Sequence, residues 1–413
     1  MQALRCAESR GGRRTPRDAE KGAIAMNFKE IRALDDAYVL HSYGRIPVAL
    51  DHGKGCEAWD VEGKHYYDFT SGIGVNAFGY CDDGWVRAVT EQAGRIQHMS
   101  NYYYCEKNAL LAEALAKASG MRRAFFCNSG AEANECAIKV ARRFGEKMGA
   151  HKIVTLKNSF HGRTITTLAA NGQDAFHEYF LPLTEGFVYA EANNVADLEQ
   201  KLDGTVCAVL LESVQGEGGV IPLDADYLRA VRALCDERGV LLMLDEVQTG
   251  VGRTGYFFSY QGCGVQPDVV TAAKGLGGGL PIAACLVSDA LKDIFTPGMN
   301  GSTFGSNPVA SAGALEMVTR IDNADFLAAV REKGEYFRAA LSKMENVACV
   351  RGRGLMLGIR VKDRDAHDVM EACAKAGLLI LTAKDMVRFL PPLTITKEEI
   401  DAGLEIFAEQ IGG

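Results

Sequence analysis

From about residue 124 onwards, short apolar runs alternate with stretches of helical periodicity, and this alternation constrains the fold more than any other feature of the chain. Such alternation is typical of βαβ units, in which helices cover the faces of a parallel sheet. The helical patterns include Ala131–Met148 and Asp224–Arg238. The sequence therefore predicts an α/β protein with a large, mostly parallel sheet. The candidate strands are Ala124–Cys127, Lys152–Leu156, Cys207–Glu212, Val240–Leu244, Val269–Ala272 and Ala283–Val287.

The C-terminal part of the chain follows a different pattern. Beyond about residue 310, two long helical stretches lead into an apolar run at Gly354–Val361 and a helical pattern near Ala366–Lys375. Two further runs, Leu378–Thr382 and Met386–Leu390, precede a final helix that begins at Lys397. This mixture predicts a smaller α+β domain that accompanies the large one.

The composition does not break sharply at any point, so the predicted domain boundaries follow the change in pattern. We expect residues 71–310 to form the large domain, with residues 26–70 and 311–413 as the N-terminal and C-terminal parts of the small one. Residues 1–25 are rich in arginine and lack apolar periodicity. An organellar transit peptide is one interpretation, but Glu8, Asp18 and Glu20 are unusual in such a leader. We therefore predict a disordered extension before a natural start at Met26.

Composition and charge exclude several classes of function. The 413 residues are 47% apolar and 24% charged, which is ordinary for a globular protein. The net charge of −8 and the lack of a basic stripe argue against a nucleic-acid partner. The longest apolar runs, such as Gly239–Leu244 and Leu280–Val287, fall far short of the ~20 residues that span a bilayer. Neither nucleic-acid binding nor membrane insertion is expected.

The 12 cysteines are scattered and form no Cys-x-x-Cys pair, so they indicate reduced thiols and a cytoplasmic location. Zinc-ligand spacing is absent as well, and no metal site is expected. The segment Gly250–Gly255 matches the dinucleotide pattern G-x-G-x-x-G, but no helical periodicity follows it. Because that fingerprint needs a helix to begin at its third glycine, we interpret the segment as a loop.

Two groups of polar residues follow neighbouring candidate strands. Asp245 and Glu246 come directly after one strand, and Lys274 with a glycine-rich stretch follows the next. In an open parallel sheet, ligands bind at the carboxyl ends of the strands. Taken singly, an acid at a strand end is more often a cap or loop residue, and a lysine before glycines is more often solvated. Only their combination favours a site.

Two further segments have a simple and a functional interpretation. Asn128–Asn134 joins a strand to a helix, so Ser129 and Gly130 would present free N–H groups to an anion, or merely cap the helix. Ser159–Arg163 supplies an aromatic face and an arginine suited to a carboxylate. Phe160 and His161 alone would more often be core or loop residues.

Together these segments resemble the ordered motifs of the class III pyridoxal-phosphate-dependent aminotransferases. The resemblance runs from roughly Leu34 to the C-terminus, and Asp68–Asn76 with Lys274–Pro281 is most similar to the acetylornithine aminotransferase branch. Ser213 replaces the usual proline and Ser306 a frequent glycine, but neither position supplies a proton or charge to the cofactor. The six motifs are Asn128–Asn134, Phe160–Arg163, Glu212–Gly219, Asp245–Gly250, Ala273–Gly275 and Gly301–Pro308.

The resemblance implies fold type I, the aspartate aminotransferase-like fold, and pyridoxal 5'-phosphate as cofactor. Lys274 would bond covalently to the cofactor aldehyde, and Asp245 would pair with the ring nitrogen. The other implied cofactor contacts come from backbone N–H groups, an aromatic ring, an amide and a residue of the neighbouring subunit in a homodimer. In that order they are Gly130 and Ala131 for the phosphate, Phe160, Gln248, and Thr303 with its neighbour Ser302.

For the substrates, the resemblance implies transfer of the amino group of N2-acetylornithine to 2-oxoglutarate, a ping-pong reaction of arginine biosynthesis through pyridoxamine phosphate. Arg163 would hold the carboxylate far from the reacting carbon, while Arg388 would bind the α-carboxylate of glutamate and otherwise pair with Glu217. Ile73 replaces the tyrosine usual in ornithine aminotransferases, which suits an acylated nitrogen. Ornithine, succinylornithine or 4-aminobutyrate as donor remains an alternative. So does a non-catalytic cofactor-binding protein, although the presence of both Lys274 and Asp245 argues against it.

Overall fold

The computed structural model describes residues 26–412, so the extension predicted at residues 1–25 lies outside the described residues. The chain divides into two compact units. The described part of the first comprises residues 26–52 and 59–64, and that of the second comprises residues 53–58 and 65–412. Within residues 26–412, no helix combines the length and the apolar character that a membrane span requires.

The helices and strands are numbered in chain order. The α-helices are α1 Phe28–Tyr38, α2 Ser71–Gly74, α3 Asp83–Ala93, α4 Glu106–Ser119, α5 Gly130–Gly145, α6 Ile165–Ala170, α7 Val195–Lys201, α8 Ala225–Arg238, α9 Pro308–Ile321, α10 Ala324–Leu341, α11 Ala366–Ala376 and α12 Lys397–Ile411. The strands are β1 Leu50–Lys54, β2 Glu57–Asp60, β3 His65–Asp68, β4 Arg123–Cys127, β5 Lys152–Leu156, β6 Phe187–Ala190, β7 Val206–Glu212, β8 Val214–Gln215, β9 Ile221–Pro222, β10 Leu241–Asp245, β11 Val269–Ala272, β12 Ala283–Val287, β13 Val347–Arg353, β14 Met356–Val361, β15 Leu378–Leu379, β16 Leu381–Ala383 and β17 Met386–Phe389.

The first unit contains helix α1, whose start is fixed by a reciprocal cap. The Asn27 side chain accepts a hydrogen bond from the Glu30 backbone, and the Glu30 side chain accepts one from the Asn27 backbone, both at 3.0 Å. This capping box satisfies two N–H groups that the first turn of a helix leaves free.

The second unit is built around a seven-stranded sheet in the order β4-β12-β11-β10-β7-β5-β6. Strands β11, β10, β7, β5 and β6 pair in parallel, and β12 runs antiparallel to both of its neighbours. Strands β7, β10, β11 and β12 are buried along their whole length, as expected for strands covered on both faces. The prediction of a large, mostly parallel sheet is confirmed.

The register of the sheet brings three polar residues together at its carboxyl edge. Asp245, the last residue of β10, lies opposite Glu212 of β7 on one side and Thr271 of β11 on the other. Because β7, β10 and β11 end at the same edge, their terminal side chains and the loops that follow them surround one place.

The six candidate strands of the large sheet agree with the observed strands within one residue at either end. Strand β10, for example, begins one residue later than predicted and ends one residue later, at Asp245. The edge strand β6 was missed; it is a run of four apolar residues, the first three of which are only partly buried. The predicted run Leu378–Thr382 is divided in two: β15 pairs with β3, whereas β16 pairs with β17. Gly250–Gly255 is a series of turns, as predicted.

The antiparallel sheet β13-β14-β17-β16 carries Arg388 on strand β17. An aromatic cluster fixes this strand: the ring of Phe389 lies 5.7 Å from Phe69, 5.4 Å from Phe337 and 5.2 Å from Phe407, measured between centroids. Edge-to-face and offset contacts at these distances add to the stability gained from burial alone. The cluster therefore holds the backbone of Arg388 in a defined position.

Candidate active site

A cavity of about 690 Å³ opens at the carboxyl edge of the large sheet. This volume is in the usual range for small-molecule sites. The polar residues that line it come from the carboxyl ends of β7 and β10, from the loops that follow β4, β5, β10 and β11, and from the start of α5. They include Asn128, Ser129, Asn134, His161, Arg163, Glu212, Asp245, Gln248 and Lys274.

Asp245 lines the cavity, and hydrogen bonds from its neighbours fix the orientation of its carboxylate. Its Oδ2 accepts a hydrogen bond from Asn134 Nδ2 at 2.7 Å and lies 2.8 Å from His161 Nδ1. Its Oδ1 accepts one from the Val247 backbone N–H at 3.0 Å. Asn134 is fixed in turn, because its Oδ1 accepts a hydrogen bond from the Thr271 hydroxyl at 2.8 Å. No lysine or arginine of residues 26–412 forms an ion pair with Asp245, so its carboxylate can serve a cation in the cavity.

Lys274 lies two residues beyond the end of β11 and has a strained backbone conformation. Its φ of +45° lies in the left-handed region, which residues with a side chain rarely adopt and which is often found at functional sites. Burial lowers the pKa of Lys274, although the negative charges of Glu217 and Asp245 act in the opposite direction. The lowered pKa increases the fraction of neutral amine, the form that attacks a carbonyl carbon.

The N-terminus of α5 presents free backbone donors to the cavity. The Ser129 side chain caps the helix by accepting a hydrogen bond from the Glu132 N–H at 3.2 Å. The N–H groups of Gly130 and Ala131 lie in the first turn, where no intrahelical partner exists. Gly130 packs closely, because a Cβ atom there would lie 2.7 Å from Val247 Cγ1. This arrangement fits a phosphate group.

An aromatic pair borders the cavity beside Arg163. The guanidinium carbon of Arg163 lies 5.3 Å from the ring centroid of Phe160 and 4.2 Å from that of Phe176. The two rings meet edge to face at 5.6 Å. Arg163 is exposed and forms no ion pair with any carboxylate in the described part of the chain. Its positive charge is therefore free to bind a substrate carboxylate.

Glu212 links the aromatic side of the cavity to the next loop. Its Oε1 accepts a hydrogen bond from the Phe160 N–H at 2.8 Å, and its Oε2 accepts one from the Gly216 N–H at 3.2 Å. Burial raises the pKa of Glu212 to about 7, although the nearby His161 acts to lower it.

Arg388 and Glu217 form a closed ion pair. Arg388 Nη1 donates hydrogen bonds to Glu217 Oε1 at 2.6 Å and to Gln248 Oε1 at 3.1 Å, and Gln248 Nε2 donates to Glu217 Oε1 at 3.4 Å. Arg388 is only 3% exposed. Burial, the largest single influence, would raise the pKa of Glu217, but Arg388 together with Lys274 and Gln248 holds this pKa below its usual value. Glu217 therefore remains ionised and occupies the guanidinium edge.

The predicted site residues lie in three places. Glu217 and Arg388 reach the cavity through Gln248, and Ser302 Oγ accepts a hydrogen bond from Asn128 Nδ2 at 3.3 Å. Thr303 and Ile73 are exposed and do not line the cavity. The remaining predicted residues line it together: Gly130, Ala131, Phe160, Arg163, Asp245, Gln248 and Lys274.

Sequence reasoning missed the contacts that three residues make at the cavity. Asn134 and Glu212 stand inside the motifs described above, but nothing in those motifs says that one orients Asp245 and the other holds Phe160. Phe176 lies outside every motif, and a single phenylalanine in a loop carries no signal. Their contacts depend on residues distant along the chain.

The cavity fits pyridoxal phosphate in its donor set. The N–H groups of Gly130 and Ala131, which have no intrahelical partner, suit the phosphate. Asp245, buried without a lysine or arginine partner in the described residues, suits a protonated ring nitrogen. Lys274 supplies the amine. Within residues 26–412, no cluster of three or more His, Cys, Asp or Glu residues is placed to hold a metal ion.

Comparison with known proteins gives consistent matches. The family model for class-III aminotransferases matches residues 38–411. The chain is 47% identical over 389 residues to an acetylornithine aminotransferase of Haemophilus ducreyi, which covers 93% of this chain and 99% of that protein. Its counterpart from Methanocaldococcus jannaschii is 43% identical over 390 residues and covers 91% and 97%.

Two solved structures illustrate the similarity in fold. An ornithine aminotransferase from Toxoplasma gondii, with partial occupancy of PLP at its active site, has a TM-score of 0.91 at 32% identity and covers 97% of this chain and 98% of that one. An N-acetylornithine aminotransferase from Stenotrophomonas maltophilia has a TM-score of 0.79 at 36% identity and covers 92% and 98%.

Proposed function

Because the chain belongs to the class-III aminotransferase family, we propose that it transfers the amino group of N2-acetylornithine to 2-oxoglutarate, giving N-acetylglutamate 5-semialdehyde and glutamate. The chain is a pyridoxal-phosphate-dependent aminotransferase. The donor is supported by relatives named acetylornithine aminotransferase, which are 41–47% identical over most of the chain. The acceptor is our inference from the charges around the cavity.

The observation that carries this proposal is the closed Arg388–Glu217 pair together with Arg163, which has no carboxylate partner within residues 26–412. Acetylornithine has one carboxylate, whereas glutamate and 2-oxoglutarate have two. A site that serves both needs one cation that is always available and one that is masked when the second carboxylate is missing. Arg163 meets the first need. Arg388, closed by Glu217 and released when a dicarboxylate binds, meets the second.

The residues of the cavity divide the chemistry between them. When bound, pyridoxal phosphate supplies an electron sink for the substrate carbon that loses its proton. Asp245 supplies the fixed negative charge that favours a protonated ring nitrogen. Lys274 Nζ would take the proton from the substrate carbon that carries the amino group and would hold it for the later proton transfer. Glu217 swings between Arg388 and solvent as the two substrates alternate.

Separate measurement of the two half-reactions tests the proposal. A charged, water-shielded arginine–carboxylate contact contributes roughly 10- to 150-fold in affinity. Arg388→Ala should therefore slow the glutamate half-reaction by about that factor, while the acetylornithine half-reaction stays within about threefold. Glu217→Ala should do the reverse, because it leaves Arg388 permanently open. Single-turnover kinetics with each substrate measures both effects.

A matched control is Arg360→Ala, which removes an exposed arginine of the same small sheet that lies 3.1 Å from Asp385. Exposed ion pairs contribute little, so this variant should behave as the unchanged enzyme in both halves. Equal losses in both half-reactions for Arg388→Ala would contradict the switch, since they would mean that Arg388 only supports the fold.

The choice of donor within the family remains part of the proposal. The backbone at Ile73 is left-handed, with φ of +67°, and the side chain is 43% exposed. Its apolar side chain offers no hydrogen bond to a free α-amino group, which favours an acylated donor over ornithine. Comparing kcat/KM for acetylornithine and ornithine distinguishes the two, and a preference for ornithine would refute this assignment.

We also propose a cytoplasmic homodimer in which Ser302 and Thr303 approach the partner's cofactor. Three consecutive tyrosines, Tyr102, Tyr103 and Tyr104, are 95%, 72% and 105% exposed. Asn101 ties the start of this run to the loop of Ser302 through a hydrogen bond of 3.0 Å to its carbonyl oxygen. An exposed aromatic patch of this kind favours burial against another protein surface. The cysteines of the described residues are all free thiols, which suits a reducing compartment.

A further inference from the structure

Arg163 lies against two aromatic rings, and one of them, Phe176, has no assigned role. The guanidinium is closer to Phe176 than to Phe160, with 4.2 Å against 5.3 Å between the guanidinium carbon and the ring centroid. The rings pack edge to face at 5.6 Å, with 71° between their planes. The three side chains therefore form one contiguous group at the border of the cavity.

Phe176 is anchored to the segment that precedes Phe160. It ends a short 3₁₀ turn, Asp174–Phe176, and its N–H donates to the Gln173 carbonyl oxygen at 3.1 Å. The Gln173 side chain donates to the Ser159 carbonyl oxygen, also at 3.1 Å. The turn that carries Phe176 and the loop after β5 that carries Phe160 are thus connected by hydrogen bonds, which hold the two rings in a fixed relation.

This geometry leaves the N–H edge of the Arg163 guanidinium available to a carboxylate. A cation–π contact uses the flat face of the guanidinium, whereas a carboxylate binds its N–H edge. An exposed arginine ordinarily loses several rotamers when it binds a ligand, and this loss weakens binding. A guanidinium already held on a ring loses fewer. Arg163 also has no carboxylate partner among residues 26–412 that would compete for its edge.

We propose that Phe176 is a positioning residue that preorganises Arg163 for the substrate carboxylate remote from the reacting amino group. The inference rests on the proposed function, in which Arg163 binds that carboxylate in both half-reactions. It predicts a loss of affinity that is shared by both substrates, unlike the one-sided loss expected for Arg388→Ala. The aromatic face, rather than bulk alone, is the property that matters.

The experiment compares holoenzyme variants by calorimetric titration with glutarate, a five-carbon dicarboxylate without an amino group, and by KM and kcat for both substrates. Phe176→Leu should weaken glutarate binding and raise both KM values about three- to tenfold, with kcat within about twofold. Phe176→Tyr should leave the glutarate affinity and both KM values unchanged, because tyrosine keeps the aromatic ring. Phe180→Leu is the matched control, since Phe180 is 51% exposed and has no cation–π contact with Arg163 in the described residues.

A double-mutant cycle with Arg163→Ala separates this inference from the function on which it rests. If Phe176 acts through Arg163, Phe176→Leu has no further effect on glutarate affinity once Arg163 is absent. The same fold-loss in both backgrounds, or unchanged affinity in Phe176→Leu when Arg163→Ala does weaken binding, overturns the inference alone. Unchanged glutarate affinity in Arg163→Ala instead contradicts the proposed function. The visible absorbance band of the bound cofactor should be the same in Phe176→Leu, which excludes an effect through Phe160.

Discussion

The carboxylate of Asp245 is deeply buried and forms no ion pair with a lysine or arginine of residues 26–412, and this combination determines what the residue can do. Its hydrogen bonds come from the Asn134 amide, the His161 ring and the Val247 backbone. They orient the group without the full positive charge that an arginine or lysine would bring. A charged ligand in the cavity can therefore use the negative charge of Asp245 directly.

Asp245→Asn tests this at the scale of one residue. The amide keeps the shape but removes the charge, so we expect a loss in kcat of at least on the order of 10²-fold, as for other preorganised electrostatic partners. Asp289→Asn, on the protein surface, is the control and should change nothing. A steady-state rate within about threefold of the original would place the partner of the ring nitrogen elsewhere.

At the scale of elements, the start of α5 depends on the absence of a side chain at Gly130. A Cβ atom there would approach Val247 Cγ1 to 2.7 Å, which is closer than van der Waals contact allows. The helix N-terminus and the loop after β10 must then move apart. Because phosphate binding depends on the position of the first-turn N–H groups, such a shift weakens it.

We expect Gly130→Ala to weaken pyridoxal phosphate binding to the apoprotein by about tenfold, roughly the loss of one charged hydrogen bond. Titration followed by absorbance gives the dissociation constant. Gly204→Ala is the matched control, because nothing lies within 4 Å of a Cβ atom at that position. An affinity for the cofactor that Gly130→Ala leaves unchanged would mean that the phosphate binds away from α5.

A second element depends on the buried Glu246. Its carboxylate accepts hydrogen bonds from the backbone N–H groups of Ser259 and Tyr260, at 3.1 and 3.0 Å, and so fixes the 3₁₀ turn Ser259–Cys263. Burial raises the pKa of Glu246 from 4.5 to about 7. Between these values the unfolded chain is ionised while the folded chain still binds the proton. The free energy of unfolding therefore falls as the pH rises through this window and levels off above it.

Glu246→Gln removes this titration, so the variant should show a shallower decrease in Tm between pH 5 and pH 7.5. The pH-dependent contribution is of order 3 kcal/mol at most, from ~1.4 kcal/mol per unit of pKa difference. Thermal unfolding at several pH values measures it, with the exposed Glu237→Gln as control. Parallel Tm profiles for Glu246→Gln and the unchanged protein would show that Glu246 is ionised throughout.

At the scale of the whole molecule, the proposed dimer places each active site between two protomers. Lys274 would come from one chain and Thr303 from the other, which agrees with the exposure of Thr303 and its position outside the cavity lining. A residue that acts on the partner's site can be complemented in trans, whereas one that acts in its own chain cannot.

Coexpression of Lys274→Ala and Thr303→Arg chains tests this arrangement. Each variant alone should be inactive, the first because it lacks the amine and the second because the arginine would block the cofactor phosphate. A hybrid dimer regains one intact site, so random pairing should restore about a quarter of the original activity. If the coexpressed chains were as inactive as each variant alone, each active site would be complete within one chain.

The sequence by itself determined the elements and the local chemistry. Apolar runs and helical periodicity are properties of adjacent residues, and they located the central strands of the large sheet and the final helix. The motifs placed Lys274 and Asp245 at strand ends, where an open parallel sheet binds ligands. The family and its cofactor followed from motif order, and the comparisons confirmed both.

Only the tertiary structure decided which distant residues meet. The pair Glu217–Arg388 forms because the turn between β8 and β9 and strand β17 are brought together across 171 residues of sequence. The division of Leu378–Thr382 between two sheets and the contact of Phe176 with Arg163 likewise depend on packing. The physical reason is the same in each case. Periodicity encodes which face of an element is buried, whereas the register and docking of elements decide what that face contacts.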